Sequence, residues 1–457
     1  MSESKAQSTV NELKDKDIGS LILKYAFPNI IGMLLFISYF IIIQIYIVYF
    51  SGLGTIALGG IGICMPIVIL LMALSMLTGI GAASQISISL GKEDKETANN
   101  LLGNAITITV IIALVFIAIF LLFFKPILLL IGTTEETYPH VKDFLLIFVL
   151  GFIVSLLCFC LNNILRASGH PKKAVFLLLI GIIFATISIP LFSYLMNNAI
   201  KGSATGIVFS QFVVLIPILT HFLKKDSSVQ LSMQTLKLKM PIVKLILKIG
   251  LSPFLVMFSV SFVAIIINNR LKFYGGHFAI STYTIVHNFI TIFIFILSGL
   301  SQGIQPIIGY NFGAGKIKRV LDTVKIAGSS GIIIGIVGLI IAYFFSHPFI
   351  SMFPINDDLV KKEAALCLKV VVISLPLSGF HLIITSFFQS IGSAGKAFLL
   401  SITRQWIFLV PALFIFPLYW QVKGIWYSLP FADALSAILA ITVFILHLKI
   451  FKNKKLI

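Results

Sequence analysis

Acidic side chains are scarce in this chain of 457 residues, which sets 16 Asp and Glu against 34 Lys and Arg. Charge of either sign is thin, at 11% of residues, where a soluble domain carries roughly 25%. Too little charge is present to solvate an ordinary globular surface. Cysteine is rarer still: Cys64, Cys158, Cys160 and Cys367 all lie in apolar runs. Cys158 and Cys160 are two apart and face different sides of a helix. Neither a disulfide framework nor a metal-ligand spacing follows, so no metal site is expected. No removable leader is expected either, because the polar, mixed-charge residues 1–20 precede an apolar run long enough to be a full span.

What the chain has in abundance is apolar sequence, 58% of residues. Runs of about 20 residues recur from end to end, the length that crosses ~30 Å of hydrocarbon as a helix. They are too long and too continuously apolar for the alternating strands of a barrel. The expected class is an all-α polytopic membrane protein. Spans are read at 20–48, 56–85, 96–124, 140–166, 173–197, 203–223, 245–271, 278–306, 320–346, 361–391, 396–419 and 424–450, twelve in all.

An even number of spans puts both termini on one side. That side, with its loops and helix ends, holds 25 of the 34 Lys and Arg, and the other side holds nine. Basic residues stay inside, so the termini are expected in the cytoplasm and the chain in an inner or plasma membrane. The net charge of +18 is then a topology signal, and a nucleic-acid partner is not expected.

The longest polar break, Lys224 to Pro241, falls near the middle, and the sequence repeats across it. Pro28 of "KYAFP" returns as Pro253 of "KIGLSP"; Lys92 returns as Lys316; "RASGHPKKA" from Arg166 returns as "QSIGSAGKA" from Gln389. The offsets are 225, 224 and 223 residues, so six helices have been duplicated. An even number per copy makes the copies parallel, related by an axis along the membrane normal. Two pseudo-symmetric six-helix lobes are expected at 1–223 and 244–457, joined by a cytoplasmic linker at 224–243.

The glycine-rich run "SQGIQPIIGYNFGAGK" from Ser301 to Lys316 invites a phosphate-loop reading, which fails. Tyr310 stands where the first glycine of the motif belongs, and Ile317 replaces its hydroxyl residue. The run is read instead as a repeat landmark closing span eight. Gly303 and Pro306, with Gly79 in the first copy, are expected at hinge turns near the membrane surface.

"QGIQPIIGYNFGAGK", "LNNILRASGHPKKA", "SITRQWIFLVP" and "LPFADALS" together resemble the multidrug and toxic compound extrusion (MATE) transporters, in their bacterial drug-efflux branch. The resemblance runs over all twelve spans. It implies an alternating-access antiporter that exports drug-like organic cations against an inward proton or sodium gradient. Where many such proteins carry an aspartate in span one this chain has Ile43, and where many carry Asp-Pro in span five it has Ile189-Pro190.

A carboxylate inside a bilayer is costly, so each one present is a functional candidate. Fifteen of the sixteen acids fall in tails, loops or helix ends, which leaves Asp433. It lies ~15 Å deep in span twelve, and Arg404 lies ~12 Å deep from the other side in span eleven, at 1.5 Å per residue. Adjacent antiparallel spans bring the two to one level. Two readings stay open: an ion-coupling pair that breaks and re-forms, or a permanent bridge between helices.

His287 and His381 are further coupling candidates, or else packing histidines. Gln44, Tyr39, Met33, Asn163, Met257, Phe254, Asn268 and Tyr283 are the candidates for a substrate cleft between the lobes. Asn268 and its neighbour Asn269 could equally cap the end of span seven. No catalytic group or cofactor is expected, and the chain is read as a monomer whose partners are drug-like substrates, a proton or sodium ion, and membrane lipids. The alternatives are a lipid or oligosaccharide flippase of the same superfamily, or a receptor or scaffold that does not transport.

The charge bias yields a direct test of orientation. In a chain freed of its native cysteines, Lys454→Cys should resist an impermeant thiol reagent in intact cells and react in inside-out vesicles. Labelling from outside would reverse the topology.

Overall fold

The computed structural model describes residues 12–50, 55–131, 133, 135, 138–224, 226–351 and 358–453. Within its helices, the side chains at 36–37, 39–45, 47–50, 55–63, 65, 261, 277 and 452–453 lie outside the description. The ordered elements among these residues are all helical. In hydrocarbon every backbone N–H and C=O must find its partner within the segment, and a helix does so.

Ten of these helices are long and apolar enough to cross a membrane, or eleven when Tyr138–Leu150 and Phe152–Ala167, bent by 55°, count as one broken span. One of them, Ala394–Phe451, has 58 residues. As a single helix it would run to ~87 Å, nearly three times the hydrocarbon thickness. It divides at Gln421, where φ is 50° and ψ −129°. The chain doubles back there, bringing the rings of Phe416 and Phe431 to 4.9 Å. With that division the described residues hold twelve spans.

Spans one to three are Ile18–Phe50, Thr55–Gly91 and Lys95–Leu122, and span four is the bent pair. Spans five and six are Pro171–Leu195 and Ala199–Leu223. Spans seven to ten are Met240–Gly276, Phe278–Gly313, Ile317–Ser351 and Asp358–Ser390. Spans eleven and twelve are 394–420 and 422–451.

Several helices outrun their apolar runs. Span seven begins five residues before the expected 245 and ends five beyond the expected 271, and span eight reaches Gly313 rather than 306. Apolarity marks the limits of the hydrocarbon, whereas a helix continues for as long as its backbone ladder does. The turns therefore come late. Gly315 adopts φ 72° at the turn after span eight, a left-handed position suited to glycine. In the first copy the turn passes through Glu93 to Asp94, which caps span three by accepting from the Thr97 N–H at 2.9 Å. Gly79, Gly303 and Pro306 are thus inside helices, and none is a turn residue. What Gly79 and Gly303 provide is close approach. A Cβ at Gly79 would lie 3.0 Å from the Cys160 Cα, and one at Gly303 2.4 Å from the Ala26 Cα.

The chain forms two compact units, and they do not simply follow the order of the sequence. One contains Ile31–Met257; the other contains Lys16–Ile30 together with the chain from Phe258 onward. The leading part of span one thus packs among second-copy helices, and that of span seven among first-copy helices. Glycines make both contacts. In the first unit a Cβ at Gly250 would fall 1.7 Å from the Leu77 O, and one at Gly81 2.2 Å from the Ile246 O. In the second, a Cβ at Gly299 would lie 2.6 Å from the Ile30 Cα.

Each unit has its own apolar core. Phe116, Phe120, Phe148 and Phe152 pack in the first, and Phe289, Phe293, Leu297 and Trp426 in the second. The segment between the repeats is strapped to span three of the first unit. The Asn104 amide donates to the Thr235 and Lys237 carbonyls at 3.3 and 3.2 Å and accepts from the Lys239 N–H at 2.7 Å. Thr107 donates to the Leu236 O at 2.8 Å, and Asn99 accepts from the Gln230 N–H at 2.7 Å.

These contacts predict unequal costs for equally small changes. Gly250→Ala and Gly303→Ala should each lower the thermal midpoint of the detergent-solubilised protein, since overpacking costs ~1–3 kcal/mol. Gly395→Ala, where an added Cβ meets nothing within 4 Å, should leave it unchanged or raise it slightly. Equal midpoints for all three variants would contradict the close approach.

Candidate functional site: a buried carboxylate cluster

Span ten is not uniform. Its α-helix gives way to a 3₁₀ turn at Val372–Ser374 and resumes at Leu375–Ser390, with Pro376 in the first turn. A proline lacks the N–H that a continuous helix would use, and a tightened turn accommodates the loss. Ser374 and Ser378 flank that proline one turn apart, which places them on the same face. Both hydroxyls donate to the Asp433 Oδ2, at 2.7 and 2.6 Å. Arg404 Nε donates to Oδ1 at 2.7 Å. Asp433, only 7% exposed, thus accepts three hydrogen bonds from two other spans. A lone charge at mid-membrane costs at least ~2.5–3.5 kcal/mol on insertion scales, and these donors offset that cost.

Arg404 arises from a second irregularity. Thr403–Leu409 is a π-helix, an element often found at functional sites because it inserts an extra residue into the helical turn. The segment is tied by the Trp406 indole N–H, which donates to Ser259 Oγ at 2.7 Å. The Oε1 of Gln405, the residue after Arg404, is buried without a hydrogen-bond partner.

His381 belongs to the same cluster. It is 6% exposed, hydrogen-bonds the Leu400 backbone, and lies within electrostatic reach of Arg404 and Asp433. Its Nε2 is buried and has no hydrogen-bond partner. Tyr283 is buried within reach of the Asp433 charge and stacks on His287 at 5.9 Å between centroids. His287 itself is exposed.

The chemistry of the cluster is asymmetric. A serine hydroxyl can donate or accept, so Ser374 and Ser378 can serve a carboxylate or a neutral carboxyl alike. The guanidinium only donates, and therefore fits only the ionised form. A cation at Oδ1 would compete with Arg404 for that oxygen, while the serine hydroxyls could keep Oδ2.

The remaining candidates are dispersed. Met33, Asn163, Phe254 and Met257 are half-buried residues of the first unit, whereas Tyr283 and Asn268 belong to the second. Asn163 has local partners: it accepts from Arg166 at 2.5 Å and donates to the Phe159 O at 2.9 Å. Asn268 and Asn269 are exposed and sit about two turns before the break at Gly276, so they do not cap span seven. The helix simply continues past them. The side chains of Tyr39 and Gln44 lie outside the described residues. The sequence reading missed Ser374 and Ser378. Their only signal was two serines astride a proline in "ISLPLSG", a pattern equally suited to helix packing.

Comparison with known proteins agrees with this architecture. The MatE family model matches residues 28–191 and 253–415, one match in each copy of the repeat. The multidrug export protein MepA of Staphylococcus aureus (strain MSSA476) is 28% identical over 422 residues, covering 92% of each chain. A solved structure of MATE in the bent conformation superposes with a TM-score of 0.91 at 21% identity, covering 98% of both chains. An outward-facing multidrug resistance MATE family transporter of the MOP superfamily gives 0.90 at 21% identity, covering 97% of this chain and 98% of its own.

The ion pair predicts a non-additive stability pattern. Arg404→Ala leaves a buried carboxylate short of its cation and should cost ~3–5 kcal/mol. Adding Asp433→Asn removes the stranded charge and should return most of that stability, read as recovery of the thermal midpoint. A double variant less stable than Arg404→Ala would refute the pairing.

Proposed function

The chain belongs to the MATE family of multi-pass membrane transporters, and we propose that it is a secondary multidrug exporter driven by a proton or sodium gradient. Substrates are organic, often cationic, drug-like compounds, in keeping with the multidrug export protein to which it is similar along most of its length. Both termini face the cytoplasm, supported by 25 of 34 basic residues on that side.

One observation carries the coupling assignment: Asp433 is buried and held by one guanidinium and two hydroxyls from other spans. A gradient can drive transport only if its ion binds one conformation better than the other. Asp433 offers that difference, because ion arrival displaces Arg404 while Ser374 and Ser378 keep hold of the carboxyl. The freed guanidinium must then find another acceptor. His381 is a polar group within electrostatic reach of it, and Gln405 Oε1, on the next residue of the helix, is buried without a hydrogen-bond partner.

A flippase reading draws support from the first-copy spans, which carry isoleucine at Ile43 and Ile189 and hold no mid-membrane acid. Ethidium efflux separates the two. A drug exporter clears ethidium from energised cells and stops when a protonophore or a sodium ionophore collapses the driving gradient; a flippase does neither.

Asp433→Asn should abolish gradient-driven efflux while substrate binding stays measurable. The double variant Asp433→Asn/Arg404→Ala should be stable yet inactive. If that double variant regains transport, the pair is a structural bridge. Full efflux by Asp433→Asn alone would remove Asp433 from coupling altogether.

A further inference from the structure

A second polar cluster, in the first unit, has no part in the coupling chemistry above. Span five starts at Pro171, and His170, the residue before it, makes no side-chain capping bond. The start of a helix presents unpaired N–H groups and the positive end of the helix dipole. Against this start lies His221 from the end of span six, 9% exposed, its ring edge-on to His170 at 4.7 Å.

Lys173 Nζ sits 2.9 Å from His221 Nδ1. An ammonium has only donors, so Nδ1 accepts and the imidazole proton resides on Nε2. That Nε2 is buried with no hydrogen-bond partner, and so is His170 Nδ1. Burial, and then the charge of Lys173, hold His170 below the ordinary histidine range. Lys172, in the first turn of span five, is exposed, as is Lys224, whose charge acts on both Lys173 and His221. Among the described residues no carboxylate forms an ion pair with Lys172, Lys173 or Lys224; Asp226 is the acid that acts on His221.

An orphan N–H donor, a helix start and a group of ammoniums together suit an anion with several acceptor oxygens. A metal ion would share the imidazoles with Lys173 and be repelled by it. The cluster also borders apolar surface: Phe176 and Leu223, on the same two helices, are 60% and 61% exposed, as lipid-facing side chains are. Basic pockets at the ends of membrane helices bind phosphate headgroups in this setting.

We propose that His170, His221 and Lys173 form a site for a phosphate group, supplied by the headgroup of an anionic phospholipid. Assigning that lipid to the cytoplasmic leaflet rests on the topology given under the proposed function; the binding itself does not. The second copy of the repeat provides a control. Lys396 lies 2.6 Å from His447 Nδ1, yet Ser393 occupies the place of His170, and Lys396 also faces the Phe388 ring at 5.4 Å. One imidazole and an aromatic ring replace the paired histidines.

The test is native mass spectrometry of the full chain in neutral detergent, titrated with phosphatidylglycerol, phosphatidylcholine or inorganic phosphate. Phosphatidylglycerol should bind in preference to phosphatidylcholine, and Lys173→Gln should weaken it roughly fivefold, the effect of one lysine charge at a membrane surface. Lys173→Arg should keep the binding, and Lys396→Gln should match the wild type, with thermal midpoints confirming that each variant is folded. Equal phosphatidylglycerol binding by wild type and Lys173→Gln overturns the site. Equal binding of the two lipids overturns the anionic headgroup. Inorganic phosphate bound by wild type and lost in Lys173→Gln, without any lipid preference, supports the phosphate site and overturns lipid as its source.

Discussion

Backbone-to-backbone contact at glycine is the constraint on which the two units depend. A membrane offers no hydrophobic force to press one apolar helix on another, so association relies on close packing. Gly81 and Gly250 allow spans two and seven to meet at a backbone carbonyl, and Gly299 and Gly303 bring span eight onto the Cα and N atoms of Ile30 and Ala26 in span one. Any side chain at these positions would push the leading parts of spans one and seven out of the units they complete. The exchange of those segments follows from where the glycines lie.

Against that apolar packing, charge is concentrated at a few positions, each with a reason. Two backbone irregularities of the second unit meet at Asp433: the 3₁₀ turn beside Pro376 presents Ser374 and Ser378, and the π-helix presents Arg404. A regular helix in either place would carry the same residues at other angles. Irregular turns in membrane helices are tolerated where neighbouring groups satisfy the freed backbone, and here they build the one mid-membrane carboxylate cluster of the described residues.

How much of this the sequence disclosed depends on the physics involved. Span positions were legible because hydrocarbon demands long apolar runs, and the repeat because Pro28 and Pro253, or Lys92 and Lys316, recur at nearly fixed offset. Asp433 and Arg404 stood out through rarity. Ser374 and Ser378 did not, since serine is common in membrane helices and often bonds only to its own backbone. Helix ends were misjudged at Gly303 and Asn268 because hydropathy reports solvent and not hydrogen bonding. The π-helix at Thr403 has no compositional mark at all, and Gly303 read as a turn residue until its neighbour Ala26 across the helix was known.

Spans one and seven each divide their length between two units, the first between Ile30 and Ile31 and the second between Met257 and Phe258. Apart from the junction at Asp15–Lys16, the chain passes from one unit to the other inside those two helices. Pro28 and Pro253 stand within about one turn of the divisions, at equivalent positions of the repeat. A proline removes a backbone bond and kinks its helix, so the ladder is weakest where each helix passes from one unit to the other. The Asp433 cluster lies wholly within the second unit, the unit that also holds Lys16–Ile30. That body also includes the first 13 of the 33 residues of span one. If coupling runs through Asp433 as proposed, the proline turn is where a change of packing in the second unit would pass along span one with the glycine contacts on either side kept.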